Sequence, residues 1–155
     1  MFEKEVRVYL VSSLLEPNEE YVDLELFISR ISKHFERYYN IRLLPIFCKT
    51  LEEIEVVSNS DLCFFIFFTQ LSEHIANEFK AALKSLNESS KPKIHIYFKE
   101  LNEKEAEEQG IKAFMEELGN VYQQYFSTFS HINTVKLRIL LALKYLEANF
   151  LKIEV

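Results

Sequence analysis

Glu78 and His74 stand four residues apart in the stretch TQLSEHIANEFKAAL, residues 69–83, immediately after the unbroken apolar run DLCFFIFF. On a helix that spacing stacks both side chains on one flank. A carboxylate set against apolar walls, here drawn from Phe68 or Leu14, can stabilise an oxocarbenium-like centre, act as a nucleophile or hold sugar hydroxyls. On an open helix surface the same residue is a solvated glutamate. The chemistry therefore depends on what the helix is placed beside. Ser12 and Ser13 follow a strand-like stretch and either offer hydroxyls and backbone N–H groups to a ribose or phosphate or simply start a turn.

Other familiar chemistries lack their residues. There is no GxGxxG, GxxxxGKS/T or GxSxG, and two Gly in the whole chain cannot build a phosphate-cradling loop of the usual kind. Cys48 and Cys63 have neither CxxC spacing nor a nearby pair of His, so both are expected as reduced core residues without metal or disulfide. His34, His95 and His131 fall on different elements, where structural roles are expected.

The chain of 155 residues suits a single domain with one core. Its 48% hydrophobic content comes in short bursts between charged stretches, a globular pattern. The formal charge of -6 argues against a surface that neutralises phosphates, so nucleic acid is not an expected partner. The opening MFEKEVRVYL is charged before it turns apolar, and no apolar run of about 18 residues occurs. A cytoplasmic protein without a membrane segment is expected.

What must position Glu78 is an alternation of strands and helices. VRVYLVSS reads as a strand over Val6 to Val11. Leu24, Phe27, Ile28, Ile31 and Phe35 then recur at helical spacing, with Pro17 or Asn18 starting that helix and Asn40 ending it. IRLLPIFC has strand length, and TLEEIEVVSNS reads as a brief helix. DLCFFIFF does not alternate with polar residues, so it reads as the central strand, buried on both faces. Ser72 is a candidate N-cap for a helix whose apolar stripe is Ile75, Phe79, Ala82, Leu83 and Leu86. KPKIHIYFKE alternates as a strand nearer the sheet edge would. A charged helix is expected over about Glu103 to Leu118, interrupted at Gly110, and NVYQQYFSTF supplies a short fifth strand or extended segment. The last helix is expected from Asn133 to about Asn149, with Val135, Ile139, Ala142, Leu143 and Leu146 on one face.

Five alternations without a hairpin signal imply right-handed crossovers and a parallel α/β sheet of order 2-1-3-4-5, a flavodoxin-like three-layer sandwich. In that order the first strand separates Cys48 from Cys63. Ligands of such sheets bind at the carboxyl ends of the strands where the order reverses, between strands one and three. That edge receives SSLLEPN from strand one, Phe47 to Thr50 from strand two and Thr69 to Glu78 from strand three.

With VYLVSS opening the chain, SDLCFFIFFT as central strand and a Glu just inside the next helix, the sequence resembles a TIR domain. It is more narrowly similar to bacterial TIR-like domains in which EFKAAL is followed by KPKIHIYFK, a late FMEELG helix and a closing LRILLAL helix. The likeness covers nearly the whole chain through short, mostly apolar motifs. It implies that Glu78 is the glutamate required to cleave the nicotinamide glycosidic bond of NAD+. Ser12, Ser13 and Leu14 would then border the ribose and nicotinamide, with Phe47 and Lys49 approaching from the second strand and Thr69 and His74 from the third. His74 stands where relatives often place Trp, and the loop after strand two lacks their Gly-Pro. The resemblance further implies NAD+ as substrate without a separate cofactor, bacterial antiphage or stress signalling, and activation by homo-oligomerisation through TIR–TIR contacts. Many relatives are modules of longer chains, and NFLKIEV reads as the entry to another strand, so residues 1–155 are expected to be one TIR-like domain excised from such a chain. Two alternatives stand beside this reading. One is a nucleoside deoxyribosyltransferase-like enzyme, although the Asp and Gly expected just before its nucleophile are missing here; the other is a non-catalytic TIR interaction module.

Overall fold

The β-branched and aromatic residues of the opening stretch form β1 (Lys4–Ser12). In the computed structural model of the chain, the residues described are 4–12, 19–47, 61–68, 73–89, 93–104 and 110–153; residues 4, 12, 46, 47, 73–76, 78, 89 and 146–153 are described by their backbone. After β1 comes α1 (Glu19–Tyr39), which buries Tyr21, Leu24, Ile28, Ile31 and Phe35 on one stripe. Glu19 and Glu20 in its first turn and Arg37 in its last oppose the helix dipole favourably. Asn40 ends α1 in the left-handed conformation at φ 55, which a short polar side chain tolerates. One residue later the chain is already in β2 (Ile41–Phe47).

Three further strands follow: β3 (Leu62–Phe67), β4 (Lys93–Lys99) and β5 (Ser127–Phe129). All pairs are parallel and the order is β2-β1-β3-β4-β5, the flavodoxin-like α/β arrangement expected from the alternation. Strand β3 is buried along its whole length at the centre. Pro45 lies in β2 at the outer edge of the sheet, where a missing N–H costs no ladder bond. At the amino end Asp61 ties three strands together. Its carboxylate accepts from the Arg7 N–H at 2.8 Å, its own N–H donates to the Arg7 carbonyl, and its carbonyl accepts from the Lys93 N–H.

Further helices among the described residues are α2 (Glu73–Ser89), α3 (Ile111–Asn120) and α4 (Ile132–Ile153). One face of the sheet packs Val8, Leu10, Phe64 and Ile66 against the apolar stripes of α1 and α4. The other packs Tyr9, Val11, Phe65 and Phe67 against Phe79, Ala82 and Leu83 of α2 and Ile111, Phe114 and Leu118 of α3. Val135, Ile139 and Leu143 of the expected α4 stripe are buried, and Ala142 packs beside them.

Two expectations gain detail and a third needs correction. Residues 103 and 104 are helical, α3 begins at Ile111, and Gly110 marks the expected break between them at φ 73, a left-handed conformation that Gly adopts freely. The fifth strand is three residues long, because the chain from Val121 first closes α3 through the Val121 and Gln124 amides and turns at Gln123, φ 53. Residues 149–153 continue α4 rather than opening another strand. His131 does have a structural role: its Nδ1 accepts the Asn133 N–H at 3.1 Å in the first turn of α4. Cys63 is buried in β3, whereas Cys48, Ser72 and the helix expected in TLEEIEVVSNS lie outside the described residues.

Candidate functional site

Strands β1 and β3 are neighbours, with Ser12 in register with Ile66 at their carboxyl ends. From β1 the chain goes to α1 on one face of the sheet, and from β3 to α2 on the other. Connections that leave adjacent strands in opposite directions open the crevice in which such sheets bind ligands.

Phe79, Ala82 and Leu83 pack α2 against the sheet beside that crevice. Phe79 is fully buried and meets Phe65 edge-on, with centroids 5.5 Å apart, and Phe65 is in register with Val11 of β1. This contact sets the height of α2 against the carboxyl half of β1 and β3. Glu78 precedes Phe79 in the second turn of α2, about 100° around the helix axis, and His74 lies one turn nearer the amino end. The first turn of a helix of 17 residues also presents its amides and the positive end of its dipole to the same edge.

The structure brings the backbone of Ser12, His74 and Glu78 to one end of the sheet. Phe47 closes β2 at the level of Leu10, on the far side of β1. Ser13, Leu14, Lys49 and Thr69 lie outside the described residues. Phe68, expected as an apolar wall for Glu78, belongs elsewhere. Side chains alternate between faces along a strand, so Phe68 enters the core on the α1 and α4 side, edge-on to Phe129 at 6.0 Å, while Phe67 lies on the α2 side. At the carboxyl end of β4, Lys99 pairs with Glu20 in the first turn of α1.

A concave region lies at the other end of β4. Because β5 pairs only with Tyr97, Phe98 and Lys99, the outer edge of the amino half of β4 has no strand partner among the described residues. There a cavity of about 200 Å³ is lined by Ile94, His95, Tyr97, Tyr125, Phe126 and Arg138, among others. Burial, aided by the Lys93 ammonium, lowers the His95 pKa below the usual histidine value and favours the neutral ring, which stacks on Phe64 at 5.1 Å. Burial pushes Tyr97 up to about 12, against the pull of the Arg138 guanidinium. Sequence reasoning missed this region. The alternating pattern of KPKIHIYFKE placed β4 near an edge, but the opening depends on how few residues β5 contributes.

Among the described residues no cluster of three or more His, Cys, Asp or Glu could hold a metal ion, and no helix is long and apolar enough to cross a membrane. Comparison of the chain with family models, with curated proteins and with solved structures gives no match.

Proposed function

We propose that this chain is a TIR-like domain that cleaves the nicotinamide–ribose bond of NAD+, with Glu78 as the catalytic carboxylate. The observation that carries the reading is the parallel sheet of order 2-1-3-4-5 with Glu78 in the second turn of the helix that leaves β3. The reaction asks little of a protein. The pyridinium nitrogen takes the bonding electron pair as nicotinamide leaves, and positive charge develops at the ribose carbon. A carboxylate held beside that carbon stabilises it without reorganising. Water then adds to give ADP-ribose and a proton, or an adenine nitrogen of the same molecule closes a ring.

In this proposal Ser12, Ser13 and Leu14 border the ribose and nicotinamide, Phe47 and Lys49 approach from β2, and Thr69 and His74 from the β3 side. No metal and no separate cofactor take part. The domain acts in the cytoplasm of a bacterium, in antiphage or stress signalling, and cuts once copies assemble.

The test is nicotinamide release from NAD+ by the chain fused to an oligomerising partner. Wild type is expected to turn over, and Glu78→Gln to lose about a hundredfold or more while keeping its unfolding midpoint. Unchanged turnover in Glu78→Gln would remove Glu78 from the chemistry. No turnover by wild type in any assembly would favour a non-catalytic interaction module.

A further inference from the structure

We infer that the open edge of β4 is a docking site for an extended peptide in which acidic residues alternate with apolar ones. This surface lies away from Glu78 and does not rest on the NAD+ reading. The argument begins with the backbone. Lys93 donates its N–H toward β3, to the Asp61 carbonyl, whereas Glu100 donates toward β5, to the Phe129 carbonyl. In a parallel ladder successive residues point their N–H and C=O groups to opposite sides. Ile94 and Ile96 therefore point theirs the same way as Glu100, toward the outer edge. The β5 partners begin only at Tyr97, so the Ile94 N–H and C=O and the Ile96 N–H have no strand partner among the described residues. These groups border the cavity of about 200 Å³.

An unpaired edge beside a cavity is the geometry of strand addition, in which backbone hydrogen bonds supply affinity and alternate side chains supply selectivity. A strand entering here would lie end to end with β5. One set of its side chains would fall on the α4 side, by His95, Tyr97 and Arg138; the other would fall on the opposite side, by Ile94, Ile96 and Phe126.

Charge selects what the first set must be. In a protein of formal charge -6, the charged residue lining this cavity among the described residues is Arg138, none of those lining residues is acidic, and Lys93 stands beside it with Nζ 5.6 Å from the Tyr145 ring centroid. Tyr125, 96% exposed, lines the cavity, and Tyr145, more than half exposed beside Lys93, adds apolar surface near it. A second copy of the chain fits less well. Antiparallel pairing of two β4 edges would set Arg138 and Lys93 against their own counterparts across an open stretch of four residues, Lys93 to Ile96, about 13 Å long.

The test uses the full chain and two fluorescently labelled heptapeptides, one alternating valine with glutamate and the other valine with lysine, read by fluorescence anisotropy. The acidic peptide is expected to bind about tenfold more tightly than the lysine peptide, and Arg138→Glu to reverse that order. Ile94→Pro should weaken the acidic peptide by a similar factor, because it removes an outward N–H and leaves the ladder to β3 intact. Failure of wild type to bind the acidic peptide, equal binding of both peptides, or an unchanged preference in Arg138→Glu would each overturn the proposal. So would a chain that dimerises on its own and becomes monomeric in Ile94→Pro, since the edge would then belong to a second copy. Should Ile94→Pro not fold, the charge reversal at exposed Arg138 decides alone.

Discussion

The two faces of the sheet are held by different kinds of contact. On the side of α2 and α3 the core is a cluster of rings. Phe67 stacks on Phe98 at 4.7 Å, and Phe79 meets Phe65, Phe114 and Tyr122 edge-on at 5.5 to 5.7 Å. On the side of α1 and α4, aliphatic residues at helical spacing dominate, and polar ties close the rim: Lys136 to Asp23 at 2.6 Å, and Lys144 to the Tyr39 hydroxyl. The distribution differs as well. Helix α1 spreads its anchorage over five buried side chains, while among the described residues of α2 the ring in the aromatic cluster is Phe79, with Ala82 and Leu83 buried beside it. Edge-to-face contacts have a preferred angle that aliphatic contacts lack. A ring contact thus orients the helix that carries Glu78, where α1 relies on a stripe of mostly aliphatic side chains.

Point substitutions can break that contrast. Phe79→Ala is expected to cost about 3–5 kcal/mol, near the upper range for a buried ring, whereas Ile28→Val on the other face should cost about 0.5–1.5 kcal/mol. Urea unfolding measures both. Similar losses would mean that the two faces bear load alike.

Titration sharpens the contrast, since His95 and Tyr97 both lie on the α1 and α4 side of β4. The folded His95 pKa is lowered below its ordinary value of 6.5, so the unfolded chain takes the proton more readily. Stability is expected to fall as pH drops through 6.5, until the folded ring is protonated too. Tyr97 behaves in the opposite sense at the alkaline end. Its folded value of about 12 exceeds the ordinary 10, so stability should fall as pH rises from 10 toward 12. Thermal melts across pH follow both limbs, and His95→Phe should flatten the acid one. A flat acid limb in wild type would contradict the burial of His95. The smallest effect is expected for Lys136→Ala. Its partner Asp23 is half exposed, so losing the pair should cost about 0.2–1 kcal/mol by urea unfolding, reduced further at high salt.

The parts of the fold legible in the sequence are those whose residues carry a period. The unbroken LCFFIF of β3 could only be buried on both faces, and the alternation in β4 placed it near an edge. Asn40 marked the end of α1 because few residues accept its conformation. Gly110 marked the break in the charged helical stretch, because a residue without a Cβ adopts φ 73 freely. The aromatic stretch from Val121 to Phe126 has strand composition, yet the turn at Gln123 keeps all but Ser127–Phe129 out of the ladder. For the candidate site, helical spacing and strand order gave the place of Glu78. They could not give the side taken by Phe68, which depends on the strand continuing in register past Phe67, nor the opening beside β4, a product of two chain segments far apart in sequence.

Asn40 is the whole link between α1 and β2. Such a joint has no slack. A residue inserted in or deleted from α1 cannot be absorbed by a loop; it would turn the helix by about 100° and swing Leu24, Ile28 and Phe35 away from the sheet. The first strand–helix–strand unit is therefore geared, its helix phase locked to its strand register, and changes of length in this part of the chain are confined to the segment ahead of Glu19.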